Sequence, residues 1–153
     1  MADYGNLWDD YSIVFNSKLV DSGGDWSRLD EDEQEIAALW KLYVDINNGG
    51  FIQFFCNWGF QCLCYAMRGL KRIEDTSLYD LLDDTYCNVL DKFKNDTRLT
   101  AYWDIPEYLT DEDMERLDAV DTQFYETECE HFTKMAYEYY RQTLKKMVTP
   151  VNG

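Results

Sequence analysis

An all-α fold, one compact domain of about six to seven helices, is what the sequence predicts, and three observations carry that expectation. Apolar residues recur every three to four positions along most of the chain. Capping residues open the periodic stretches, and glycines or prolines close them. The most aromatic stretch, Asn47 to Gly59, has Asn-Asn-Gly-Gly at one end and Asn-Trp-Gly at the other, which predicts a central helix-turn-helix core around Asn48-Gly49-Gly50-Phe51.

Taken in order, Tyr4, Trp8, Tyr11 and Phe15 form an apolar stripe on a first helix of about residues 4–20, which ends before Ser22-Gly23-Gly24. Asp30 with Glu33 has capping-box spacing and starts a second helix, whose predicted buried face is Ile36, Leu39, Trp40, Tyr43 and Ile46. That helix stops at Asn48-Gly49-Gly50, where glycine takes the left-handed conformation at no Cβ cost. Phe51 to Phe55 has strand propensity but no partner strand, so it is read as helix. Asn57-Trp58-Gly59 predicts a second turn, followed by a helix from Phe60 that ends near Gly69. Leu78, Leu82, Tyr86, Val89 and Phe93 predict one long helix over residues 77–93. Residues 94–109 read as an ordered loop with Tyr102 and Trp103 docked on the body. Thr110 caps a helix that buries Met114, Leu117, Val120 and Phe124, and a last helix buries Phe132, Met135, Ala136, Tyr139 and Leu144.

Composition narrows the function classes. An aromatic content of 16% and an apolar content of 46% exclude a disordered acidic chain. Thirty acidic against 14 basic residues set the formal charge at −16, a field that repels free nucleic acid and anionic membranes and attracts basic partners. Five cysteines, an odd number with no charged-then-apolar leader ahead of them, point to a reducing, cytoplasmic setting. No apolar run approaches the roughly 20 residues that span a bilayer.

Asp45-Ile46-Asn47-Asn48-Gly49-Gly50-Phe51-Ile52-Gln53-Phe54-Phe55-Cys56-Asn57 resembles the signature of the DMP-type family, small acidic bacterial helical proteins named after a DNA-mimic protein. Leu117-Asp118-Ala119-Val120-Asp121-Thr122-Gln123-Phe124-Tyr125 is similar to a second stretch of that family. Together they cover about residues 26–145. The resemblance implies an all-helical domain, often dimeric, with no known enzymatic activity. In the member that names the family, it implies an acidic surface that stands in for the phosphates of duplex DNA and engages a DNA-binding transcription regulator. The chain departs from the pattern at Glu74-Asp75, where relatives commonly carry a small Gly-Ala pair, and its first helix lies outside the match.

The Asn-Gly-Gly-Phe motif reads as structural: Asn47 and Asn48 serve helix-end carbonyls, Gly49 and Gly50 free the backbone, and Phe51, Phe54 and Phe55 fill the core. The alternative is a pocket presenting the amides of Gln53 and Asn57. The charge is zoned: residues 1–35 carry net −8 and residues 101–130 net −10, whereas residues 36–72 carry net +3. Glu31, Asp32 and Glu35 in the first zone, with Glu107, Asp111, Glu112, Glu115, Asp118 and Asp121 in the second, are the candidate partner-binding acids. Asp111, Glu115 and Asp118 share one helix edge, an arrangement that costs a few tenths of a kcal/mol per like-charged pair. A plain solvated acidic face is the competing reading.

No catalytic pair is visible. Glu128, Glu130 and His131 point to different sides of a helix, and Asp83-Asp84 and Asp9-Asp10 look exposed. Cys62-x-Cys64 and Cys129-x-His131 lack zinc-site spacing, so no metal and no cofactor is expected. The leading expectation is a non-enzymatic acidic DNA mimic that binds a basic, DNA-binding protein. The alternatives are an immunity or antitoxin-like protein that neutralises a basic nuclease toxin and, behind it, a hydrolase using paired carboxylates.

Overall fold

A computed structural model describes residues 2–148. Helix α1 (Tyr4–Asp21) is capped by Asp3, whose carboxylate accepts from the Asn6 backbone N–H at 3.1 Å. Its stripe meets the core as predicted: Trp8 and Phe15 are fully buried, and Tyr4 and Tyr11 lie against Tyr137 of the last helix. The chain leaves α1 through Gly23 and Gly24, both at positive φ.

Helix α2 (Glu31–Gly49) opens with the predicted capping box: Glu33 N–H donates to Asp30 Oδ1 at 2.9 Å, and Asp30 N–H donates to Glu33 Oε1 at 3.0 Å. Ile36, Leu39, Leu42 and Ile46 are buried, whereas the predicted Trp40 and Tyr43 are half-buried. Gly50, at φ 93° and ψ 173°, turns the chain, and α3 (Phe51–Arg72) runs back along α2. The pairing is antiparallel, because Arg68 and Arg72 near the end of α3 reach Glu35 and Glu31 near the start of α2. The second turn expected at Asn57-Trp58-Gly59 is a kink within α3 instead. Gly59 breaks the helix at φ 77°, and the Tyr102 ring lies where its Cβ would stand, 2.4 Å away.

Helix α4 (Thr76–Thr85) continues through a π-turn at Tyr86–Leu90 and a 3-10 turn at Asp91–Phe93, so the predicted long helix is helical throughout but changes pitch. The loop that follows carries a 3-10 stretch at Tyr102–Tyr108. Its aromatics dock on α3: Tyr102 packs edge-on to Phe55 at 5.2 Å, and Trp103 Nε1 donates to Asn57 Oδ1 at 3.0 Å. Helix α5 (Asp111–Gln123) starts at a Thr110/Asp113 capping box and passes through a π-turn at Phe124–Glu128 into α6 (Cys129–Val148).

Two predicted core residues are corrected. Met114 is 53% exposed, leaving Leu117, Val120 and Phe124 as the α5 contribution to the core. Tyr139 is 49% exposed; the buried row of α6 steps by four, Phe132, Ala136, Tyr140 and Leu144, which turns Tyr139 away. All six helices share one hydrophobic core, and no strand occurs among the described residues.

Candidate functional site

The signature motif builds a polar hub behind the hinge. Asp45, four residues after Lys41 on α2, is buried and accepts three side-chain bonds from α3: Gln53 Nε2 at 3.0 Å, Asn57 Nδ2 at 3.3 Å and Trp58 Nε1 at 2.7 Å. Buried Lys41 lies 3.4 Å from the centre of the Trp58 ring, and its ammonium pKa is lowered, chiefly by burial. Asn57, through its other amide atom, also holds Trp103. Half-buried Gln53 and exposed Asn57 therefore spend their amides on neighbours. Phe51, Phe54 and Phe55 are buried in the core, and Asn48 Nδ2 reaches Gln53 Oε1 at 3.4 Å.

The two signature stretches meet at one bond. Asp121 Oδ1 accepts from the Phe51 backbone N–H at 2.9 Å, supplying the first turn of α3 with a carboxylate that Gly50 has no side chain to provide. Burial raises the pKa of Asp121, while the Phe51 N–H pulls it down. Asp121 is thus a half-buried helix cap and does not belong to an exposed acidic edge, a correction to its sequence assignment.

Glu35 needs the same correction. It is fully buried and accepts from Arg68 Nε at 2.5 Å and the Tyr140 hydroxyl at 2.7 Å, with Arg72 Nε at 3.2 Å. Facing Glu35 raises the Arg72 pKa, and the Tyr140 hydroxyl is pushed far up by burial and by Glu35. Glu31 and Asp32 pair with Arg72, and Glu33 pairs with Lys18, so the acidic start of α2 is largely neutralised within the fold. Nothing in composition distinguished this zone from the second; the signal was the basic end of α3, which the hinge places opposite.

The second zone is different. Asp113 is buried as the partner of Thr110 and of Lys92 Nζ at 2.5 Å, and Glu112 pairs with Arg116 at 3.4 Å. Glu107, Asp111, Glu115 and Asp118 are exposed and make no ion pair among the described residues. Asp111, Glu115 and Asp118 follow one edge of α5 over seven residues, about 10 Å, one charge per roughly 5 Å. Duplex DNA carries one charge per about 3.4 Å of axis on each strand. The edge is therefore sparser than a single strand.

Buried carboxylates exist, but each has a structural task. Glu128 accepts from Ser77 Oγ at 2.6 Å and Gln123 Nε2 at 3.2 Å. Asp75 caps α4 through Leu78 N–H at 3.2 Å, leaves Oδ2 without a partner, and has a pKa raised chiefly by burial. Cys62 is buried while Cys64 is exposed, and among the described residues no group of three or more possible metal ligands occurs. No described helix is long and apolar enough to cross a membrane.

No curated protein and no solved structure matches the chain. A family model described as DMP19-like protein matches residues 27–143, a span that contains both the Asp45–Asn57 hub and the Asp121 cap that joins it to α5, and the chain belongs to that family.

Proposed function

We propose that the protein is a non-enzymatic acidic binder that uses the exposed edge of α5 to occupy the phosphate-contacting surface of a basic, DNA-binding protein. One observation carries this reading: Glu107, Asp111, Glu115 and Asp118 stay exposed and unpaired among the described residues, while the equally acidic start of α2 is neutralised by Arg68, Arg72 and Lys18. Like charges on one helix edge lower stability slightly, and basic side chains of a partner offset that cost. Membership of a DMP19-like family, not known as an enzyme family, accords with it. Five free cysteines accord with a reducing, cytoplasmic setting.

The test compares the protein with a variant carrying Asp111→Lys, Glu115→Lys and Asp118→Lys as bait, with captured proteins identified and then challenged with duplex DNA. The reading requires nucleic-acid-binding proteins that the variant loses and that DNA displaces. Retention by the variant, or captured proteins indifferent to DNA, refutes it.

A further inference from the structure

The α5 edge leads into a groove. Seven residues beyond Asp118, about two turns along the same helix side, stands Tyr125, 74% exposed, and it forms one wall of an open groove of about 880 Å³ between the start of α1, the end of α2 and the start of α6. Asp3, Asp9 and Glu130 line it, together with Tyr4 and Tyr43, and no lysine or arginine does. Asp9 bonds only through Oδ1, to Trp40 Nε1 at 2.8 Å, and the Glu130 carboxylate has no hydrogen bond among the described residues. Lys134 lies 5.9 Å from the centre of the Tyr4 ring without lining the groove.

A second source of negative potential is independent of these side chains. The groove takes in Tyr43, Val44, Asn47 and Asn48 from the C-terminal turns of α2, the negative end of a 19-residue helix, which has no basic residue in its last turn. Helix ends of this kind attract cations, and among the described residues no lysine or arginine lines the groove. The Tyr43 hydroxyl pKa is raised first by burial and then by Cys129, Asp9 and Asp3, so the acidic side chains reach this wall of the groove. Tyrosine faces add cation–π attraction for a guanidinium or ammonium group.

We propose that this groove is the anchor site for one arginine or lysine side chain of a basic protein lying along α5. The proposal rests on the α5 edge being the partner-facing surface and gives that surface a definite end. An exposed row of carboxylates attracts any cation, whereas a groove with acid and aromatic walls selects a side chain long enough to enter it.

The experiment titrates the full-length, isotopically labelled protein with the peptide acetyl-(Gly-Arg-Gly-Lys)3-amide, and with its neutral counterpart containing citrulline and acetyl-lysine, following backbone amide shifts. Perturbation at Tyr43, Asn47 and Glu130 by the cationic peptide alone is the expected result. Tyr125→Ala with Glu130→Gln, both at exposed positions, is expected to weaken binding about fivefold or more, the scale of one lost cation–π contact and charge, and to remove those shifts. Glu115→Gln with Asp118→Asn separates the two readings. If the groove variant binds as the parent does and the edge variant does not, the anchor site is overturned and the α5 reading survives. If only the groove variant loses binding, the α5 reading fails while cation recognition by the groove stands. Equal binding of the neutral peptide, or spermidine filling the groove more tightly than the peptide, overturns the assignment to a protein side chain.

Discussion

Replacing Gly50 by alanine tests the junction on which both signature stretches converge. Its backbone, at φ 93° and ψ 173°, lies in a region essentially reserved for glycine, and holding alanine there costs of order 1–3 kcal/mol. A Cβ at this position stands 2.3 Å from Asp121 Oδ2, so the carboxylate has to move away from the Phe51 N–H that it accepts at 2.9 Å. Losing a hydrogen bond to a charged, half-buried acceptor adds about 1.5–3 kcal/mol. Gly50→Ala is therefore expected to cost about 2.5–6 kcal/mol, measured as a lower urea midpoint at unchanged slope by tryptophan fluorescence. Asp121→Ala removes only the second contribution, and the double variant costs less than the two singles combined, because the clash and the lost bond involve the same carboxylate. A Gly50→Ala protein within about 1 kcal/mol of the parent, or strict additivity with Asp121→Ala, would show that the hinge and the cap are not coupled as described.

Glu74, at φ 61°, is the only described non-glycine residue at positive φ, and it stands where the resemblance places a glycine in relatives. Relieving a left-handed side chain outweighs the extra chain entropy of glycine, so Glu74→Gly is expected to stabilise by up to about 1 kcal/mol; a lower melting temperature contradicts the assignment. Asp75 carries a raised pKa, so its native form holds its proton more tightly than the unfolded chain does, and the penalty for its burial builds as pH rises from the ordinary carboxyl range to that raised pKa and is fully present above it. Asp75→Asn keeps the α4 cap and is expected to raise the melting temperature by about 2–4 °C near pH 7, the equivalent of about 1 kcal/mol, with the gain fading as pH falls toward 4; a gain independent of pH refutes that cause. Exposed Cys64 and Cys87 are expected to react first with a disulfide reagent in the native protein. Cys56, with its thiol pKa pushed up to about 11 by burial, and Cys62, pushed higher still, should react only on unfolding, as mass spectrometry of the labelled peptides would show.

Helix identity and caps were legible because they depend on neighbours in sequence. The Asp30/Glu33 capping box and the Thr110 cap formed as read, and Asp113 returns the bond to Thr110 as a second box. Rotation about the helix axis was less legible. Met114 and Tyr139 fit a helical period but sit at its margin, and only the position of the neighbouring helices decides that both turn outward while Tyr140 faces inward. The acids were legible least of all. Glu35 lies one turn from exposed Glu31, and its burial depends on Arg68, 33 residues later, and Tyr140, 105 residues later. The role of Asp121 depends on a backbone N–H 70 residues earlier. A carboxylate's task is set by what faces it, and composition counts only its charge.

That dependence links the hinge to the surface charge. With α3 folded antiparallel along α2, the basic last turn of α3 lies against the acidic first turn of α2, where each also suits the local helix dipole. Arg68 and Arg72 then satisfy Glu35, Glu31 and Asp32 together. Among the described residues the α5 acids pair only with Lys92, through Asp113, and with Arg116 on α5 itself, through Glu112. The acidic start of α2 thus becomes a neutralised edge, and the outer edge of α5 an open negative one. The Asn-Gly-Gly-Phe turn, itself free of formal charge, decides which is which by fixing where α3 ends.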